Sequence, residues 1–212
     1  MVKQANDWGL IPAIHYYSKN PDGFIGADLQ KMADSGLFGY KPILFQFNTL
    51  PPNPLLLAGL QKEGVDVIFK VAVADKTNEA TPIVWRDGRN VVDVNTGDVN
   101  LLVQQVRDNF DFISYAMFDP SHGTDYKVDL NEERMGIKFG KAIITEPELD
   151  RIGLVYAGGI SHRNVVKVVK TLSSYFGDRF SIDAESGLRD MGGLNMNKVR
   201  CYLENSADIL ES

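Results

Sequence analysis

Ile152-Gly-Leu-Val-Tyr-Ala-Gly158-Gly159-Ile160-Ser161, with its continuation Phe180-Ser-Ile-Asp183-Ala-Glu185-Ser186-Gly187-Leu188, is the stretch that decides the fold. An apolar run closes on a glycine pair, a helix-period segment follows, and a second run closes on another glycine-containing loop. The order is strand, loop, helix, strand, loop, the unit of a parallel α/β protein. Each loop lies at the carboxyl end of a strand, where bare backbone N–H groups converge and a following helix presents its positive end, a setting suited to phosphate. In an eight-stranded parallel barrel the loops after the last two strands are the usual phosphate-gripping pair. The loops 157–164 and 183–193 are therefore expected to bind phosphate, through Gly158, Gly159, Ser186 and Gly187. The plain alternative is that these glycines only permit tight turns.

Outward from this segment the same alternation continues. Ser161 is placed to cap a helix whose Val165, Val169, Leu172 and Phe176 share one face, and Gly177 ends it. Leu10 to Tyr17 reads as a strand, Ile25 to Ala33 as a helix stopped at Gly36, and Pro42 to Phe47 as a strand. Asn53 before Pro54 starts a helix that Gly64 closes. Val65 to Val73 is one long β-branched run, apolar on both sides of the pleat and interrupted by Lys70. Val99 to Phe110 traces a helical face, and Phe112 to Phe118 is a strand ending at Asp119. After Leu188, a loop through Gly192-Gly193 leads to a last helix with Val199, Tyr202 and Leu203 inward. Between Ala74 and Asn95 the periodic signal weakens, and Trp85 to Val92 resembles a hairpin around Asp87-Gly88, read as an insertion.

Alternating strands and helices without linkers predict a single α/β domain over residues 1–212, a (β/α)8 TIM barrel with an irregular or incomplete N-terminal portion. About six strands are clear, so closure at eight requires two more from the weak segments. An open doubly wound sheet is the alternative architecture, since such sheets also use glycine-rich loops.

Composition narrows the function. A chain of 212 residues with 44% hydrophobic and 24% charged content is an ordinary globular domain, and no run approaches the roughly 18 apolar residues of a membrane helix. The polar start Met-Val-Lys-Gln-Ala-Asn-Asp gives the expectation of a cytoplasmic protein. A net charge of −6 and a pI near 5.1 argue against nucleic acid or an anionic membrane as partner. An anionic ligand must then be held by local groups. Cys201 is the only cysteine, and His15, His122 and His162 show no metal-ligand spacing, so neither a metal nor a cofactor is expected.

The candidate chemistry sits at strand ends. Asp119 occupies the position where barrel enzymes place acids and bases, and His122 is near enough in sequence to share the mouth. The alternatives are a turn residue before Pro120 and a solvated loop histidine. Lys70, costly to bury unpaired, must reach a carboxylate or the mouth, where it reads either as a paired structural lysine or as an amine nucleophile. Asp183 and Glu185, two apart on a strand, share a face and are candidate partners for Lys70. His15 and Tyr17 read as core or rim packing.

These motifs resemble the phosphoribosylanthranilate isomerase family. Ala157-Gly-Gly-Ile160 followed by Asn164-Val165 is similar to its Ala/Ser-Gly-Gly-Leu…Asn-Val segment, and Asp183-Ala-Glu-Ser186-Gly187 to its Asp-Val-Ser-Ser-Gly. Phe118-Asp119, a His-Gly-Thr loop and Val128-Asp129 resemble the family's Leu-Leu-Asp…Gly-Gly-Thr-Gly…Phe-Asp pattern, and Gln46 falls where the family has Gln-Leu-His-Gly. The resemblance implies a ribulose-phosphate-binding barrel that grips phosphate on both glycine loops, with Asp119 as general acid and a homodimer as the assembly. Two departures accompany it. The family's opening Lys-Ile-Cys-Gly, whose cysteine is the general base, has no counterpart here. Aligning Gln46 places Ile11 to Tyr17 on the third strand, leaving the first two βα units unaccounted for. The expected function is acid/base isomerase or lyase chemistry on a phosphorylated sugar or related metabolite, with Asp119, Lys70 and His122 as catalytic candidates. The alternative is a degenerate barrel that binds a phosphorylated ligand without converting it.

Overall fold

The computed structural model describes residues 11–16, 25–47, 54–71, 73–76, 79–86, 90–93, 98–121, 127–191 and 193–210. Six short strands, β1 (Ala13–Tyr16), β2 (Leu44–Phe47), β3 (Asp66–Lys70), β7 (Tyr115–Phe118), β8 (Gly153–Tyr156) and β9 (Phe180–Ile182), pair in that order and all in parallel. The intervening helices are α1 (Ile25–Asp34), α2 (Pro54–Lys62), α3 (Val99–Arg107), α4 (Met135–Thr145) and α5 (Val165–Phe176), and α6 (Met196–Leu210) follows the last strand. Sequential order in a parallel sheet is the order of a (β/α) barrel, not of a doubly wound sheet, which reverses at a switch point.

The period of two sorts the side chains of each strand. Phe45, Phe47, Val67, Phe69, Ala116, Phe118, Leu154 and Tyr156 face the helices in one large buried core. Their alternates Ile68, Met117 and Val155, with Ala157 just beyond the strand, form a second, smaller cluster on the concave side, flanked by Leu44 and Tyr115. Gln46 and Lys70 belong by register to this inner set, Gln46 opposite Ile68 and Lys70 opposite Met117. The alternation therefore aims every polar inner residue at the inside of the half-barrel.

Two segments differ from their sequence readings. The run Val65 to Val73 is two strands. β3 stops at Lys70, and Val73–Lys76 starts β4 of a separate antiparallel sheet, completed by β5 (Glu79–Arg86) and β6 (Asn90–Asp93). The expected insertion is thus a three-stranded sheet, with its Asp87-Gly88 turn outside the described residues. The described part of the weak segment supplies no strand to the barrel, which has six strands among the described residues where closure needs eight. Among the described strands β1 and β9 are the edges, and their inward residues His15 and Ser181 are exposed. Among the described residues no strand lies between them.

Helix ends follow their local chemistry. Gly36 and Gly177 adopt positive φ after α1 and α5. Asn164, not Ser161, is the N-cap residue of α5. Ser161 lies a turn earlier, where its Oγ accepts from the Arg163 N–H at 3.3 Å. The Asn53 cap read for α2 lies outside the described residues. On α6, Tyr202 is buried and Val199 half-buried as expected, but Leu203 is 59% exposed, because the helix packs through one narrow face. Beyond β9 a hairpin of β10 (Arg189–Asp190) and β11 (Gly193–Leu194) precedes α6. No helix among the described residues is long and apolar enough to cross a membrane.

Candidate active site at the strand carboxyl ends

A cavity of about 80 Å³ opens at the carboxyl ends of the strands, lined by His15 and Gln46, by Asp119 and Ser121, by Ala157 to Ile160 and by Asp183 to Ser186. It gathers residues from β1, β2 and the loops after β7, β8 and β9. Among the described residues that line it none is a lysine or arginine, and the two glycine loops bring backbone N–H groups to its wall.

Both glycine loops converge on this cavity. Gly158 and Gly159 carry φ values of 107° and 61°, conformations that favour glycine. Their carbonyls are both engaged, Gly158 O by the Val128 N–H at 3.1 Å and Gly159 O by Asn164 Nδ2 at 2.9 Å. Among the described residues no hydrogen bond reaches the N–H of either glycine. The second loop touches the first through an isolated parallel bridge between Ser161 and Gly187. The reason for glycine at 187 is therefore different from the one expected. Its φ is not positive, and an added Cβ would lie 2.4 Å from Ile160 O and 2.6 Å from Ser161 Cβ. Gly187 holds the two loops together and does not itself line the cavity.

Asp119 is buried beside the first loop, with its Oδ1 3.4 Å from where a Cβ on Gly158 would stand. Lys70 Nζ donates to Asp119 Oδ2 at 2.5 Å, and both side chains are nearly excluded from solvent at 8% and 13% exposure. Asp119, one residue past β7, is the carboxylate that Lys70 reaches. Asp183 and Glu185 were candidates for that role, but both lie past the end of β9, where the strand period no longer sets direction. Glu185 pairs instead with Arg189 at 3.1 Å and with His15 at 3.8 Å. Asp119 Oδ1 accepts from the Ser121 backbone N–H at 3.0 Å and from Ser121 Oγ at 2.6 Å. Burial raises the pKa of Asp119, but the charge and hydrogen bond of Lys70, with the two bonds from Ser121, outweigh it and hold the carboxyl below its ordinary range.

Asp183 moves the other way. Burial is the largest cause, and the nearby Asp119 and Glu185 charges add to it, so its carboxyl is raised despite the opposing influence of His15 and Lys70. One mouth thus contains a carboxyl held low and another pushed up, the pattern that separates a base from an acid. Sequence reading placed Asp183 as a partner for Lys70 and did not find this role. The available signal was the like-charge cluster Asp183…Glu185 at a barrel mouth, without the burial that gives it force. His15 and Gln46, read as rim packing and as a family marker, are cavity walls. The Gln46 Nε2 donates to Met117 Sδ at 3.4 Å. His122 and Tyr17 lie outside the described residues.

No known family model matches the chain, and no characterised protein matches it by sequence. Solved structures do match it. An N-(5'-phosphoribosyl)anthranilate isomerase from Pyrococcus furiosus superposes with a TM-score of 0.54 at 15% identity, over 98% of this chain and 79% of that one. A monomeric form of the dimeric phosphoribosylanthranilate isomerase from Thermotoga maritima gives 0.53 at 13%, over 98% and 78%. A tetrameric deoxyribose phosphate aldolase from Aeropyrum pernix gives 0.53 at 9%, over 94% and 72%. At such identities the likeness is one of fold. This chain has the fold of the TIM barrels that include phosphoribosylanthranilate isomerase, with a part of theirs lacking a counterpart.

Proposed function

We propose that the protein is an enzyme acting on a phosphorylated sugar or related small metabolite by proton transfer, as an isomerase or lyase. The observation that carries this reading is the buried Lys70–Asp119 pair standing directly beside the Gly158–Gly159 loop. The phosphate is held by the N–H groups of Gly158, Gly159 and Ser186, in a loop pair fastened by Gly187. Asp119, ionised and in the cavity wall, accepts a proton from the substrate. The Lys70 ammonium behind it holds the carboxylate in place, and Asp183 donates a proton to the substrate oxygen on which negative charge develops. His122 remains a candidate for the same mouth by its place three residues after Asp119. Lys70 as an imine-forming amine is less favoured, because a 2.5 Å contact to a carboxylate is the geometry of a charge-assisted ammonium bond.

The reading is tested by incubating the protein in D2O with phosphorylated aldoses and ketoses of three to six carbons and following deuterium uptake at carbon by NMR. Uptake from one or more of them, abolished in Asp119→Asn, is expected. Complementation of a tryptophan auxotroph tests phosphoribosylanthranilate isomerisation separately. A non-catalytic phosphate binder is the second reading, favoured by the exposure of His15 and Ser181, the inward residues of the two edge strands. Binding of the phosphorylated sugars without any deuterium uptake would select it.

A further inference from the structure

Beside the Gly158–Gly159 loop, between segment 127–134 and the first two turns of α5, lies a second and larger cavity, a groove of about 930 Å³. It shares no lining residue with the mouth. In a chain of net charge −6, three of its described lining residues are cationic, Lys127, Arg134 and Lys167, against one described carboxylate, Asp129. Asp129 Oδ2 is 3.0 Å from Arg134 Nε, which accounts for the one negative charge. Lys127 and Lys167 have no salt-bridge partner among the described residues. The described lining of the groove therefore carries an excess of positive charge. Val128, Leu130 and Val168 are the apolar part of its lining, beside the polar Asn131, Asn164 and Thr171. Its volume falls in the roughly 300–1,000 Å³ of small-molecule sites, well beyond what a bare phosphate fills.

We infer that this groove binds a small organic phosphate of nucleotide size, the phosphate meeting Lys127 and Lys167 and an apolar ring lying on Val128, Leu130 and Val168. Lysine ammonium groups are suited to phosphate as mobile point charges. The apolar part of the lining suits a ligand with a hydrophobic body. Asn164 gives the groove a route to the mouth. It lines the groove, while its side chain accepts from the Ser161 N–H at 2.7 Å and donates to Gly159 O at 2.9 Å. A ligand that engages Asn164 pulls on the glycine loop, so groove occupancy changes the affinity of the mouth, and by linkage the reverse holds. The inference rests on this groove's own residues and stands apart from the reaction proposed for the mouth.

The probe is adenosine monophosphate, with adenosine and inorganic phosphate as controls, titrated by calorimetry into the whole chain. The nucleotide is expected to bind at least tenfold more tightly than adenosine. The double variant Lys127→Ala/Lys167→Ala, altered only at two exposed side chains, is expected to weaken the nucleotide at least tenfold and leave inorganic phosphate unchanged. Gly159→Ala is expected to do the converse. In wild type the nucleotide should shift the amide resonances of Val168 and Thr171 first. Failure of the nucleotide to bind, equal affinity in the double variant, equal affinity of adenosine, or shifts confined to Ile160 and Ser186 would each overturn the groove assignment. None of these results depends on turnover at the mouth.

Discussion

Two carboxylates beside the glycine loops behave in opposite ways, and each predicts a different response to amidation. Asp119→Asn removes the carboxylate charge that the buried Lys70 Nζ reaches at 2.5 Å. Loss of one partner of such a pair costs about 3–5 kcal/mol, so a large drop in urea midpoint is expected at neutral pH. Because the folded pKa of Asp119 lies below its ordinary 3.8, its stabilisation is present above 3.8 and is lost as pH falls through the lower folded value. The difference between wild type and Asp119→Asn must therefore shrink in acid, and a constant difference across pH would contradict the pairing. Asp183→Asn has the reverse sign. A raised carboxyl favours the folded state below 3.8 and loses that contribution as pH rises through the folded pKa, so ionised Asp183 burdens the fold at pH 7. The amide should raise the melting temperature at pH 7, leave it unchanged in strong acid, and lower turnover, the usual trade at a functional residue.

At the scale of the element, the loops after β8 and β9 act as one device. The Ser161–Gly187 bridge ties them, and Gly187 is glycine because Ile160 O and Ser161 leave no room for a Cβ. Gly187→Ala is expected to destabilise the protein by about 1–3 kcal/mol, the cost of forcing atoms into packed space, and to weaken phosphate by parting the loops. Gly159→Ala tests phosphate binding from the first loop, where φ of 61° is a region that a non-glycine residue enters at a cost of roughly 1–2 kcal/mol. Chemical denaturation with phosphate calorimetry on both variants separates the roles. Equal stability of Gly187→Ala and wild type would show that the bridge is dispensable.

For the whole molecule, six strands in sequential order curve far enough to bring His15 of β1 within 3.8 Å of Glu185 beyond β9. The two edges meet at the mouth without a described strand between them. Hydrogen exchange should rank the sheet from its middle outward. Amides of Val67 to Phe69, Ala116 to Phe118 and Leu154 to Tyr156, each in a strand paired on both sides, should be the slowest. Those of β1 and β9 should exchange faster by orders of magnitude, because edge strands open without breaking the core. Uniform protection across all six would mean that the seam between β1 and β9 is closed in solution.

The alternation of apolar runs and helix-period segments, the glycine pair at 158–159 and the polar residues breaking the ends of apolar strands were all visible in the sequence, because periodicity and backbone freedom are local properties. From them follow the parallel α/β order, the position of Asp119 at a strand end and the convergence of two loops. What the chain order did not contain was which charges meet. Lys70 could be judged costly to bury, but its partner lies 49 residues away on the next strand of the sheet, chosen by the β3–β7 register and not by spacing. The split of Val65–Val73 into strands of two sheets was hidden as well, since both halves are β-branched and apolar and only pairing distinguishes them. The opposed pKa shifts of Asp119 and Asp183 arise from burial and from groups on several different segments, so tertiary structure alone decides which carboxyl is held low and which is pushed up.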